Sequence, residues 1–284
     1  MCDTCGCSDS HFHDHDHSHD HDHSHDHDHS HDHDHSHDHD HSHHHHDHDH
    51  HHDHKDGRHH DSSHESRDKA VKVEIGKDIL EVNNRLAERN RGYFEARNIF
   101  VVNLMSSPGS GKTTLLERTL TDLKGRHRFY VIEGDQQTAM DADRIKATGA
   151  PVVQVNTGRG CHLDASMVNR AVKELDPAPD SILFIENVGN LICPSMFDLG
   201  EEARVVVMSV TEGEDKPLKY PDMFRGAGLC LINKTDLLPY LDFKISEAAE
   251  NGLLVNGRLK FMQVSAKTGE GMDEWYDWLS TNTR

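Results

Sequence analysis

One stretch limits the possible folds more than any other: Ser106-Ser107-Pro108-Gly109-Ser110-Gly111-Lys112-Thr113-Thr114. It stands between the apolar run Ile99–Met105 and Thr113–Leu123, whose apolar residues recur at helical spacing. A glycine-rich turn joining a buried strand to a helix is a P-loop in its proper setting. Gly109 and Gly111 let backbone N–H groups turn inward on a phosphate, and the helix N-terminus adds its dipole. Lys112 would reach the β/γ oxygens and Thr113 would ligate Mg²⁺, with Ser110 and Thr114 completing the loop. Ser106 occupies the slot usually held by the first glycine, which tolerates small residues.

The surrounding text extends that unit. Short apolar runs recur at Phe129–Glu133, Val152–Val155, Ile182–Ile185, Val205–Val210, Leu229–Asn233 and Phe261–Val264. Helical stretches lie between most of them, at Ala139–Thr148, Asp164–Leu175, Lys244–Asn251 and Met272–Leu279. Runs apolar on both faces, alternating with helices, indicate a mostly parallel, seven-stranded sheet between helix layers. Ile79, Leu80, Leu86, Tyr93 and Phe94 mark a leading amphipathic helix over Lys77–Asn98. The spacing predicts one α/β domain over 69–284.

Asn233-Lys234-Thr235-Asp236 follows the run Leu229–Ile232. A carboxylate at Asp236 can accept bonds from guanine N1–H and the 2-amino group. Adenine lacks that amino group and would leave buried lone pairs unmet. With Ser265-Ala266-Lys267 after the last run, the pattern points to GTP. The Ala266 N–H would meet guanine O6, and Lys234 and Lys267 would flank the base.

Ile182–Ile185 runs into Glu186-Asn187-Val188-Gly189-Asn190. Gly189 can present its N–H to a γ-phosphate and Glu186 can hold Mg²⁺ through water. Asp135, just past Phe129–Glu133, is the other carboxylate suited to Mg²⁺ or to the attacking water. Asn190 follows Gly189 where a glutamine would orient water in many GTPases, so slow intrinsic hydrolysis is expected.

Composition divides the chain. Of 30 His, 28 fall between His11 and His64. Residues 1–64 hold 17 Asp against Lys55 and Arg58, a balance of −15 that leaves −5 for 65–284 out of the chain's −20. From His17 to Ser42 the unit His-Ser-His-Asp-His-Asp repeats. Residues 8–68 have too little apolar surface to offset chain entropy, so disorder is expected there. Purification tags are uninterrupted His runs, and this is an interleaved repeat. Neutral imidazole suits Ni²⁺, Zn²⁺, Cu²⁺ and Co²⁺, and at two to four rings per ion the tail could hold roughly 7–14 ions. Such sites would be weak, numerous and proton-sensitive, as a store is.

Cys2, Cys5 and Cys7 form a C-x2-C-x-C head (residues 1–7) that can wrap three thiolates around one ion, square-planar Ni²⁺ or tetrahedral Zn²⁺. Cys161-His162 follows Gly158-Arg159-Gly160, and Cys193 lies four residues beyond Gly189. Two thiolates and an imidazole are one donor short of a closed tetrahedral site. Either water or a second chain would complete it. Cys230, inside an apolar run, reads as core. No apolar run reaches the ~18 residues of a membrane span. The first thirty residues hold no signal core, and the folded part has no basic stripe. A cytoplasmic chain that binds neither membrane nor nucleic acid is expected.

The P-loop, Gly158–Ala165, Glu186–Leu191 with Cys193-Pro194, and Asn233–Asp236 together resemble the hydrogenase nickel-incorporation GTPases, the HypB family. The resemblance covers 70–284 and the Cys2/Cys5/Cys7 head. It implies a GTPase of the signal-recognition-particle/MinD-like (SIMIBI) class that hydrolyses GTP and delivers nickel to the [NiFe] hydrogenase large-subunit precursor. It also implies a GTP-linked homodimer and a partner zinc metallochaperone of the same pathway. The head would be a tight nickel site, Cys161, His162 and Cys193 the Ni/Zn ligands of the G domain, and the His-rich tail a nickel store. A urease-type nickel GTPase would carry a Cys-Pro-His motif instead. A storage protein with a vestigial nucleotide site would not need Lys112, Thr113 and Asp236 intact.

Overall fold

A computed structural model describes residues 62–135, 140–158 and 160–283, with side chains from Asp78 onward. The side chains of Cys2, Cys5, Cys7 and of His11 to His64 lie outside the described residues.

The apolar runs expected to be strands all pair in one sheet: β1 Phe100–Ser106, β2 Phe129–Asp135, β3 Val152–Asn156, β4 Ile182–Glu186, β5 Ala203–Ser209, β6 Leu229–Asn233 and β7 Lys260–Gln263. Their order is β3-β2-β4-β1-β5-β6-β7, and every pairing is parallel. The sheet is thus wholly rather than mostly parallel. Parallel strands need crossover helices, and those lie on both faces. One face carries α2 (Lys112–Asp122), α3 (Met140–Thr148) and α9 (Met272–Asn282) over Phe100, Val102, Leu104, Phe184 and Val207. The opposite face is divided. α1 (Ser62–Ala96) and α4 (Ala165–Leu175) cover Val101, Ile132, Leu183 and Ile185. α7 (Pro221–Arg225) and α8 (Ile245–Val255) cover Met105, Val206, Cys230 and Ile232.

α1 runs Ser62–Ala96, starting well before the Lys77 expected and overlapping residues 62–68 of the segment expected to be disordered. The added turns are polar through 62–69, and Val71, Val73 and Ile75 then recur at every second residue, a spacing that reads as strand rather than helix, so helical periodicity could not find them. The chain also forms α5 (Cys193–Met196), α6 (Lys216–Lys219) and a 3₁₀ turn, Thr235–Tyr240. Pieces of four to six residues are too short to show a period. Among the described residues no helix is long and apolar enough to cross a membrane.

Candidate functional site

All the sequence-derived nucleotide residues lie along the C-terminal edge of the sheet or in the loops leading from it, where crevices in open parallel sheets form. Gly111, at φ 90°, turns the chain into α2, and Gly109 is also left-handed at φ 74°. No side chain caps the first turn of α2. By contrast, the Asp164 carboxylate accepts the Met167 N–H at 2.8 Å and caps α4. The N–H groups opening α2 therefore face a cleft of about 570 Å³, lined by Ser106–Thr114 with Asp135, Asp141, Arg144, Val188, Gly189 and Lys234. An uncapped helix start with its dipole is an anion site.

Two glycines are close approaches. A Cβ on Gly111 would lie 2.6 Å from Asn233 Nδ2. Asn233 donates from that nitrogen to the Ser110 carbonyl at 3.0 Å, and so ties the end of β6 to the loop that opens α2. A Cβ on Gly189 would lie 3.2 Å from Pro108 Cα, so the turn after β4 abuts the same loop.

Lys112 and Thr113 converge on Glu186. Lys112 Nζ is 3.5 Å from Glu186 Oε1, and the Thr113 hydroxyl donates to that oxygen at 2.6 Å. Asp135 ends β2 at the cleft. Sequence reasoning assigned no role to Glu133, which sits opposite Glu186 in the β2–β4 register. Both are buried, and Glu133 Oε2, Glu186 Oε2 and Ser110 Oγ have no hydrogen-bond partner. Buried, unpartnered carboxylate oxygens beside a threonine hydroxyl are the hard donors Mg²⁺ takes, so the residues fit that ion.

Burial, then the charges of Glu186, Asp135 and Asp141, push the Glu133 carboxyl from an ordinary 4.5 to about 8. A carboxyl raised in the folded state stabilises fully below its unfolded value, and that stability is lost as pH rises through the folded one. In metal- and nucleotide-free protein, wild type should therefore lose roughly 3 kcal/mol relative to Glu133→Gln between pH 5 and 8. Urea unfolding at both pH values reads this difference, and parallel pH profiles for the two proteins would refute it.

The residues expected to read the base are also assembled. Lys234, left-handed at φ 63°, lays its ammonium on the Gly109 carbonyl at 2.6 Å. The Ser265 hydroxyl donates to Asp236 Oδ1 at 2.6 Å and orients the carboxylate. The Ala266 N–H donates to Asn233 Oδ1 at 3.1 Å, so contact with a guanine oxygen would have to share or release that bond. Lys267 is exposed beside them. Arg144, unnoticed in the sequence, lines the phosphate cleft and donates to Glu117 at 2.6 Å and to Thr114 Oγ1 at 3.0 Å.

Cys161, His162 and Cys193 come together from two loops, with one ligand atom of each within 4.8 Å of the others. Cys161 and Cys193 are buried. The His162 ring stacks on Phe197, centroids 3.9 Å apart and planes 20° from parallel. Burial lowers the His162 pKa and so favours the neutral imidazole that metals need. Asn190 Oδ1 accepts the Ile192 N–H at 2.8 Å and the Cys193 N–H at 3.3 Å, joining the residue after Gly189 to the start of α5. Cys230 is fully buried in β6 and outside this cluster, as expected of a core thiol.

The chain is similar to known proteins over most of its described length. The family described as CobW/HypB/UreG, nucleotide-binding domain, matches residues 100–263. The hydrogenase maturation factor HypB of Rhizobium leguminosarum bv. viciae is 58% identical over 217 residues, covering 76% of this chain and 72% of its own. A crystal structure of HypB from Archaeoglobus fulgidus is 40% identical, with a TM-score of 0.67, over 72% of this chain and 100% of that one. HypB from Helicobacter pylori, solved in complex with nickel, is 38% identical with the same TM-score over 71% and 95%. Likeness of this extent in sequence and in fold shows that the chain belongs to the HypB hydrogenase maturation factors.

Proposed function

We propose that this chain hydrolyses GTP and uses the cycle to control an ion held by Cys161, His162 and Cys193. The cargo is nickel, destined for the [NiFe] hydrogenase large-subunit precursor. The observation that carries this reading is the placement of Cys193 four residues beyond Gly189, its sulfur part of a three-donor cluster. A solved relative complexed with nickel supports the choice of metal.

The P-loop N–H groups and Lys112 bind the phosphates, and Asp236, with Ala266, Lys234 and Lys267, selects guanine. Thr113, Asp135 and Glu186 hold Mg²⁺, which when bound neutralises the charge developing on the phosphates. Gly189 senses the γ-phosphate through its N–H. Asn190 leaves the attacking water without a glutamine to orient it, so turnover is slow. Loss of the γ-phosphate releases the turn and alters the donor geometry at Cys193. Three protein donors leave a coordination position for water or for a residue of a second copy in a GTP-linked homodimer. Zn²⁺ fits the same donors. A zinc metallochaperone of the pathway is the exchange partner, Cys2, Cys5 and Cys7 form a tight nickel site, and His11 to His64 the store.

Cys193→Ser tests the reading. Free Ni²⁺ is set by a chelator buffer in full-length protein carrying Cys2→Ser, Cys5→Ser and Cys7→Ser. Thiolate-to-nickel charge transfer then reports the G-domain cluster apart from the imidazole tail. Cys193→Ser should weaken nickel binding there by at least about tenfold. Unchanged affinity and stoichiometry would remove Cys193 from the site.

A further inference from the structure

Two asparagines lie where an apolar sheet has little use for them: Asn103 on β1 and Asn187 just past β4, both fully buried. Amides are buried at a cost unless their dipoles are met, and these are met by a continuous relay. Asn187 Oδ1 accepts two backbone N–H groups, from Leu163 at 3.3 Å and from Val188 at 3.0 Å. Leu163 follows His162, and Val188 precedes Gly189. One oxygen thus holds the loop of two candidate metal donors and the turn that abuts the phosphate loop.

The other end of the amide leads to the third donor. Asn187 Nδ2 donates to Asn103 Oδ1 at 3.4 Å, and Asn103 Nδ2 donates to Glu201 Oε1 at 3.1 Å. Arg204 Nε donates to the same carboxylate oxygen at 2.6 Å, and the Leu199 N–H donates to Oε2 at 2.7 Å. The Arg204 guanidinium then reaches the carbonyls of Ser195 at 3.3 Å and Phe197 at 3.2 Å. Ser195 lies within the helix that Cys193 begins, and Phe197 follows its last residue and supplies the ring stacked on His162. Leu163 cannot swing independently. It is fully buried, and a Cβ on Gly134 would come within 2.8 Å of its side chain.

We propose that the Asn103–Asn187 amide pair is the positioning element that couples the phosphate-sensing turn to the Cys161/His162/Cys193 cluster. This rests on the two-site reading above and names its mechanical link. Movement of Val188 toward a γ-phosphate shifts the geometry at an oxygen shared with Leu163, and the planar amide passes the displacement through Asn103 to Glu201, Arg204 and α5. What supports it is a continuous chain of buried and part-buried hydrogen bonds that touches both loops.

The test measures coupling rather than affinity. In the full-length, head-substituted protein with buffered Ni²⁺, charge transfer gives the nickel Kd with GDP and with a non-hydrolysable GTP analogue. Wild-type values should differ by at least about fivefold. Asn187→Ala should bring the two Kd values within about twofold of each other, while nucleotide affinity measured without metal stays within about threefold of wild type. A wild-type ratio that survives in Asn187→Ala overturns this proposal alone, whereas a ratio of one in wild type overturns the two-site reading with it. Should Asn187→Ala fail to fold, amide-resolved hydrogen exchange of the wild-type chain decides. Replacing GDP by the analogue should change protection at Leu163 and Val188 together, and a change at Val188 with none at Leu163 overturns the link.

Discussion

Replacing Lys112 by alanine is expected to lower GTP turnover by about 100- to 1,000-fold, the scale seen when one preorganised charge-stabilising donor is removed. The side chain is only 11% exposed, and its ammonium stands 3.5 Å from Glu186 Oε1, inside the cleft opened by α2. It is the cation that offsets the Glu133 and Glu186 carboxyls there, so the loss is one of phosphate binding and of local charge balance together. Nickel held by the His11–His64 tail should be unaffected, because the substitution touches no imidazole. Equilibrium dialysis with Ni²⁺ alongside a phosphate-release assay separates the two properties. A large fall in tail nickel together with turnover would break the division of labour between store and GTPase.

Deleting residues 8–64 should have the largest effect on stoichiometry. The deletion removes all 28 tail imidazoles, and so roughly 7–14 of the bound ions. GTP turnover should persist, since every residue lining the phosphate cleft lies at or beyond Ser106. Hydrogenase maturation in cells supplied with ample nickel should also persist and should fail first when nickel is scarce. Failure in nickel-replete cells would give the tail a part in delivery itself.

The sequence made some of this architecture easy to read. Strands buried on both faces are continuous apolar runs, so Ile99–Met105 and Ile182–Ile185 stood out. The P-loop declared its own strand and helix. Cys161, His162 and Cys193 were visible because cysteine beside histidine has few structural uses, although 30 residues separate the loops and only the fold brings them within 4.8 Å. Glu133, Asn103 and Asn187 were not legible. A lone polar residue at the end of an apolar run, or within one, resembles the ordinary fraying of a strand. Its meaning depends on register, and Glu133 matters because the β2–β4 pairing sets it opposite Glu186. Arg144 was hidden for a related reason: a charged residue on a short helix reads as solvated surface until the helix is docked beside the phosphate loop.

That carboxyl pairing has an outcome for the protein's life in the cell. If a nucleotide and its cation bind this cradle as proposed, Glu133 must give up the proton that burial beside Glu186 leads it to hold, and whatever binds only the native form makes that form more durable. Resistance to unfolding and to proteolysis should then follow guanine-nucleotide supply. A starved cell would lose this maturation factor by attrition, with no dedicated signal needed to retire it.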